Sequence, residues 1–437
     1  MTINVLILYS FILYLLVPVV LLRLLWSGLK NRGYWNRWYE RFGFVDLPAA
    51  KRPRIWIHAV SVGEVQAAVP LIQSLMKTFP QYELLVTTVT PTGSIMVRQR
   101  IGTSVMHTFL PYDLPGAVNR FLDRTEPRLL IVMETEIWPN LYLQCAARGI
   151  HILLTNARLS EKSYNGYKKV GKFIRLVLHK ITFIAAQSET DADRLAALGA
   201  NRGRIVVTGN LKFDVEIPDS VISQGQSVRR LIGPKRPVWI AASTHAGEEE
   251  IILAAQRWII ERFPACLLIL APRHPERCTS VAELSHNAGF KIIRKSQLIS
   301  NQVEQIESDV QIFMLDTIGE LPAYYAAVDV AFVGGSLLPR MGGHNVLEPA
   351  SLGVPVITGS HTSAFMEINR LLYERRAAVQ ITDPAQIAEI VIRLLADPAL
   401  RQRMGDAGKA LVKQNQGSVG RVMELVSNIL LAGDNQG

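Results

Sequence analysis

Cysteine is almost missing from this chain. Its three copies in 437 residues, Cys145, Cys266 and Cys278, lie far apart with no histidine cluster beside them. That excludes a disulfide framework and a zinc site of ordinary ligand spacing, and it suits a reducing compartment. Nucleotide signatures are missing too: there is no GxGxxG fingerprint, no P-loop and no DxD-like acidic pair. A dinucleotide enzyme, a P-loop NTPase and a requirement for a divalent metal therefore lack support. No internal repeat or low-complexity tract stands out. Charged residues make up 19% of the chain against 49% hydrophobic, a globular composition and not a disordered one.

Charge is absent altogether from residues 1–22, MTINVLILYSFILYLLVPVVLL. An apolar run of about 18 residues or more is long enough to span a bilayer, and Pro18 kinks such a helix without abolishing it. Arg23, Lys30, Arg32, Arg37 and Arg41 follow, against Glu40 alone. By the positive-inside rule this places the bulk of the chain on the cytoplasmic side of an inner membrane. A cleaved signal peptide has its positive charge before the apolar core and a small-residue site after it. Neither pattern is present, so an uncleaved anchor is expected. Trp26, Tyr34, Trp35, Trp38 and Tyr39 suit headgroup depth, and NRGYWNRWYERFG, with Arg32, Arg37 and Arg41, is expected to form a membrane-docking face. Ordinary packing on the first domain is the alternative for these aromatics.

The net charge of +10 points to an anionic partner. With no run of five or six basic residues and no RNA-binding signature, nucleic acid is disfavoured. An anionic membrane surface or an anionic lipid substrate fits better.

The length suggests two domains. From residue 54, short β-rich runs (RIWIHAV, ELLVTTV, RLLIVM, IHILLT, ITFIAAQ, RIVVTG) alternate with helical patterns such as VQAAVPLIQSLMKTF. Continuous apolar strands separated by helices indicate a parallel sheet covered on both faces. The rhythm pauses over residues 214–237, a Pro-, Gly- and Ser-rich stretch that reads as a linker. It resumes with PVWIAAS, CLLILAPR, FKIIR, VQIFML, DVAFVGG, VPVITG and AAVQIT. The expected organisation is α/β: an anchor over 1–26, a Rossmann-like domain over 27–213, the linker, and a second Rossmann-like domain over 238–437. The last helical run, 384–432, is long enough to cross back over the first domain. Two doubly wound domains joined in this way enclose a cleft, and ligands bind beyond the carboxyl ends of their strands.

Chemistry is expected at those ends. Ser61-Val-Gly-Glu64, after the first strand, fits a capping box, yet a carboxylate there also sits where such sheets bind ligands. In the second half, Arg273 of APRHPER follows a strand, where its guanidinium can pair with a phosphate or carboxylate; a surface ion pair is the alternative. Gly334, Gly335, Gly342 and Gly343 permit close backbone approach, and the helix after His344 and Asn345 offers an amino terminus to phosphate. Glu348, placed one turn into that helix, can accept from a ribose diol or merely complement the helix dipole.

Seven segments in order, VSVGEV, TTVTPTG, METEIWPN, NARLS, GNLKFD, APRHPER and GGHNVLEPASLGVPVITG, resemble the 3-deoxy-D-manno-octulosonic acid (Kdo) transferases over almost the whole chain. The resemblance implies an inverting GT-B glycosyltransferase that moves Kdo from CMP-Kdo to the lipid A precursor and releases CMP, with no cofactor. It implies Glu64 as general base, and Glu134 and Lys212 as stabilisers of the transition state, with Glu136 a second candidate beside Glu134. It implies a CMP site at Pro272 and Arg273, at Ile318, Gly319 and Glu320, and at Asn345, Val346, Leu347 and Glu348. The residue types agree. A sugar hydroxyl must lose its proton as it attacks, which a positioned carboxylate serves, and charge on departing CMP can be stabilised by basic groups without a metal. Two other readings stay open: a GT-B enzyme using a UDP-sugar and another lipid, and a non-catalytic membrane-tethered nucleotide-binding module.

Overall fold

The structure is a computed structural model that describes residues 2–301, 305–339 and 341–434. The chain divides into two compact units, Met1–Asp214 with Asn415–Gly437, and Val215–Gln414.

The first unit is a parallel sheet of β1 (Arg54–His58), β2 (Glu83–Thr88), β3 (Met106–Phe109), β4 (Pro127–Met133), β5 (His151–Ala157), β6 (Phe183–Ala186) and β7 (Ile205–Val207). The strand order is β3-β2-β1-β4-β5-β6-β7. Successive side chains along a strand point to opposite faces, and the apolar runs feed two cores accordingly. Trp56, Leu130, Val132 and Leu154 enter one, with Phe121, Tyr142 and Val177 from covering helices. Ile55, Ile57, Ile131 and Leu153 enter the other. Helix Val62–Thr78 covers that second face through Val65, Leu71 and Leu75. Helix Ser418–Asp434 joins it with Val422, Val426 and Ile429, from the far end of the numbering. Asp214 ties this return in place: its Oδ1 accepts from the Gly417 amide at 2.6 Å and its Oδ2 from the Val419 amide.

The second unit repeats the design with β8 (Val238–Thr244), β9 (Leu267–Pro272), β10 (Ile292–Arg294), β11 (Ile312–Met314), β12 (Val330–Val333), β13 (Val356–Thr358) and β14 (Ala378–Gln380). Its order is β10-β11-β9-β8-β12-β13-β14. Along β8, Trp239 and Ala241 enter one core while Val238, Ile240 and Ala242 enter the other.

The stretch 214–237 is not an open linker. It contains helix Asp219–Ile232, which belongs to the second unit. Gly225 is there for close approach, because a Cβ in its place would meet Ala326 Cβ at 2.5 Å. The Ser223 and Ser227 hydroxyls turn back onto the carbonyls of Ser220 and Ser223 and leave the helix intact. The composition that suggested a linker is thus that of a surface helix held close to its neighbour at Gly225.

Helix Thr2–Lys30 runs through Pro18 without a break and is long and apolar enough to cross a membrane. Ile7, Phe11, Leu15, Val19 and Leu22 are exposed along it. Its early turns touch the first unit: Tyr9 Oη donates to Asp113 at 2.9 Å and Ser10 Oγ to Asn140 Oδ1 at 3.1 Å. The basic docking face expected after it needs correcting. Arg41 is only 3% exposed; its guanidinium donates to the Val89 carbonyl at 2.7 Å and lies over Phe109. Arg37 pairs with Glu40 at 2.6 Å and donates to the His107 carbonyl at 2.6 Å. Of the three arginines only Arg32 is exposed, whereas Trp35, Trp38, Tyr39 and Phe44 all face outward.

Candidate active site

In the first unit β1 and β4 are neighbours, and the chain leaves them toward opposite edges of the sheet, so their carboxyl ends flank the point where strand order reverses. Glu64 follows β1, and Glu134 is the residue after β4.

Glu64 is 8% exposed. One oxygen accepts from the Val60 amide at 2.8 Å and the other from the Ser61 hydroxyl at 3.1 Å. This is not the reciprocal capping box. Ser61 occupies the N-cap position but makes no side-chain cap bond, because its hydroxyl turns to the carboxylate, and Glu64 reaches past it to Val60. Burial pushes the Glu64 pKa up to about 7, the Val60 amide opposes this, the charges of Glu134 and Glu136 add to it, and the Ser61 hydroxyl again opposes. A carboxylate so tuned can take a proton near neutral pH.

Glu134 has φ 57°, left-handed backbone that non-glycine residues seldom adopt and that often marks functional sites. Its amide is held by the Thr155 carbonyl at 2.8 Å. The next residue, Thr135, bonds to the Arg158 carbonyl through its hydroxyl, which accepts from the Arg158 amide at 3.1 Å. Burial raises the Glu136 pKa, and the Glu134 charge raises it further. Lys212 sits in the short turn Leu211–Phe213. Its pKa is lowered chiefly by burial; Glu134 opposes this, Arg158 adds to it and Glu64 opposes. Glu134 and Glu64 therefore both act on Lys212, and the three expected residues share one electrostatic neighbourhood.

Asn156, at the end of β5, has φ 54° and is buried, and its Oδ1 accepts from the Leu211 amide at 3.0 Å. It fixes the turn that presents Lys212. Sequence reasoning passed over it, although it opens the NARLS segment.

In the second unit β8 and β12 are the neighbours at the order reversal. Glu248 joins their ends. Fully buried, it accepts from the amides of His245 at 2.9 Å, Gly335 at 2.8 Å, Ser336 at 3.1 Å and Leu337 at 3.0 Å. Gly334 has no room for a side chain, since a Cβ would come within 2.7 Å of the Ser243 carbonyl oxygen. Neither His245 nor Glu248 was singled out from the sequence. The signal available was an acid three residues after a strand-end histidine.

Pro272 is the buried last residue of β9, and Arg273, exposed, is held through its amide by the Thr244 carbonyl at 3.0 Å. Ile318 is 82% exposed. Gly319 has φ 90°, and Glu320 accepts from the Thr317 hydroxyl and lies 3.9 Å from Lys295 Nζ. Asn345 bridges its own turn: Oδ1 accepts from the Leu347 amide at 3.0 Å and Nδ2 donates to Glu348 at 3.0 Å. Val346 and Leu347 are buried. Glu348 is the second residue of the five-residue helix Leu347–Ser351, not one turn into a long one. These segments all follow strands at the carboxyl edge of the sheet. Arg273 acts electrostatically on His344 beside Asn345, and Glu348 acts on Tyr325 of the helix that follows Glu320.

Comparison with known proteins gives the class. Residues 279–411 match the family described as Glycosyl transferases group 1. A solved UDP-GlcNAc 2-epimerase from Neisseria meningitidis, bound to UDP-GlcNAc, shares the fold: TM-score 0.54 at 13% identity, over 87% of this chain and 100% of that one. The chain is a glycosyltransferase built from two Rossmann-like units, the GT-B fold. Residues 36–215 match the family described as 3-deoxy-D-manno-octulosonic-acid transferase (kdotransferase). The Haemophilus influenzae 3-deoxy-D-manno-octulosonic acid transferase is 40% identical over 97% of this chain and 98% of its own length. A crystallised C-terminal CMP-Kdo binding domain of WaaA from Acinetobacter baumannii is 32% identical, covering 45% of this chain and 100% of that one, with a TM-score of 0.41. The chain belongs to the Kdo transferases.

Proposed function

We propose that the chain transfers Kdo from CMP-Kdo to a sugar hydroxyl of the lipid A precursor, with inversion at the anomeric carbon and release of CMP. The observation that carries this reading is Glu64: a buried carboxylate at the strand-order reversal, its pKa pushed up to about 7 by burial, next to the charges of Glu134 and Glu136. The acceptor hydroxyl gives its proton to Glu64 as its oxygen bonds to the anomeric carbon, and the carbon–oxygen bond to CMP breaks. One displacement inverts the centre and needs no covalent enzyme intermediate. Glu134 and Lys212 stabilise charge around the reacting carbon. Pro272, Arg273, the Ile318–Glu320 turn and Asn345–Glu348 hold CMP, with Arg273 on an anionic group and Glu348 on the ribose. No cofactor enters the reaction. Helix Thr2–Lys30 anchors the enzyme in the inner membrane with both units on the cytoplasmic face, where the lipid acceptor is met.

The test is CMP release from CMP-Kdo with the lipid A precursor in detergent, comparing wild type with Glu64→Gln and following both through a thermal melt. Glutamine still accepts from the Val60 amide but cannot take a proton. Turnover should fall by ~10²-fold or more with the melt retained. Unchanged turnover removes Glu64 as the base, and turnover of a UDP-sugar in place of CMP-Kdo overturns the donor.

A further inference from the structure

Beyond Glu64 and the residues that hold CMP, the second unit contains a histidine pair with no part in the mechanism above. His245 Nε2 and His344 Nε2 lie 2.8 Å apart, and the rings stack at 5.0 Å with 14° between their planes. His274, next to Arg273, stands edge-on to His245 at 5.6 Å. The arrangement is built. His245 leaves the end of β8, with its amide fixed by Glu248 at 2.9 Å. His344 precedes Asn345, and its ring takes the space a side chain at Gly335 would fill, since a Cβ there would come within 2.9 Å of it.

Two imidazole nitrogens this close cannot both carry hydrogen or both present lone pairs. One Nε2 donates and the other accepts, and the pair holds one shared proton between the rings. The groups acting on His245 are Glu248, His274, Glu249 and Arg273. Those acting on His344 are His245, Arg273 and His274. Burial lowers the pKa of both rings, that of His344 to about 4, so the pair is uncharged at neutral pH. Burial and the Arg273 charge both oppose a proton on the pair, and an arriving anion offsets both.

We propose that His245 and His344 together form a proton-accepting site for the phosphate of the nucleotide, taking one proton from solvent when the product monoester binds and returning it on release. The inference rests on the CMP reading given above. The chemistry separates donor from product. A sugar nucleotide's phosphodiester carries one negative charge, whereas a monoester, with a second pKa of about 6, is largely a dianion at neutral pH. The extra proton on the pair meets the extra charge. Both outward Nδ1 atoms then carry hydrogen while the Nε2 atoms keep their shared bond, and no proton is lost or created.

The experiment is titration calorimetry at pH 7.5 in buffers of different ionisation enthalpy, with the whole protein in detergent and CMP, cytidine or UDP as probe. Binding of CMP should take up a fraction of one proton that grows as the pH is lowered from 7.5 toward 6.5, and binding of cytidine none. His245→Asn and His344→Asn, each checked by a melt, should bind CMP more weakly with the uptake lost. Because a variant can misfold, the same question is put to the wild type by nitrogen NMR of labelled histidines, where CMP should bring in the signal of at most one imidazolium, shared between the two rings. CMP binding with no uptake and no imidazolium signal overturns the pair's role and leaves the donor reading standing. Uptake that persists in both folded variants does the same. Failure of CMP to bind while UDP binds with the same uptake overturns the donor reading and supports the pair.

Discussion

Asn156 Oδ1 accepts from the Leu211 amide at 3.0 Å, so a residue at the end of β5 sets the turn that carries Lys212. Because Asn156 sits at φ 54°, two substitutions separate its roles. Asn156→Gly keeps the backbone conformation and loses only the bond, leaving a buried amide unpaired at a cost of about 1–3 kcal/mol. Asn156→Ala adds strain at the positive φ and should cost more. Urea unfolding ranks the two, and in both the loss in kcat should exceed any change in KM for the donor.

The Ser61 hydroxyl donates to Glu64 and favours its charged form. Removing it should raise the carboxyl pKa further. A base works when deprotonated, so kcat/KM of the wild type should rise with pH through about 7, and in Ser61→Ala the same limb should move to higher pH. A limb that stays in place excludes Glu64 as its origin. Linkage gives a second reading. The folded pKa of Glu64, about 7, lies above the ordinary carboxyl value of 4.5. Its contribution to stability is therefore complete below the ordinary value and is lost as pH rises through the folded one. Glu64→Gln should gain stability relative to wild type across that window, as read by melts at pH 4.5 and pH 8.

Arg41 and Trp38 are neighbours in sequence but differ in exposure, at 3% and 47%. Arg41→Glu places an unpaired charge among buried groups and should lower the melting temperature by several degrees or prevent folding. Trp38→Ala should leave the melt unchanged and weaken binding to anionic liposomes, with Trp35→Ala acting in the same direction. Flotation assays beside thermal melts check both. Weakened liposome binding by a fully folded Arg41→Glu would restore the basic face.

The two sheets were legible because parallel strands buried on both faces read as apolar runs. The strand that escaped, β3, shows why. Its Met-His-Thr-Phe is an edge strand, half exposed in part, and His107 spends its polarity on Thr88 and Arg37. No apolar run announces it. The helix Asp219–Ile232 escaped for the opposite reason: glycine and serine serve close packing there as well as flexibility. Among the candidate residues, Glu64, Glu134 and Lys212 stand in motifs that the sequence displays. Asn156, Glu248 and the histidine pair were not legible, because each works through a partner between 55 and 99 residues away, and spacing along a chain does not record such pairings.

The return of residues 418–434 to the first unit makes the second unit an insertion in the sequence of the first. On the ribosome the order of completion is therefore reversed. All of the second unit, Val215–Gln414, is synthesised before helix Ser418–Asp434, which packs beside helix Val62–Thr78 and against β5, exists. Until then the part of that core which Val422, Val426 and Ile429 complete lies open, with the apolar surface that invites misassociation of nascent chains. The domain whose strands are made first must wait longest to close. A chain ended at residue 414 and held on the ribosome by a flexible extension long enough to clear the exit tunnel should show a protease-resistant second unit beside a protease-sensitive first one.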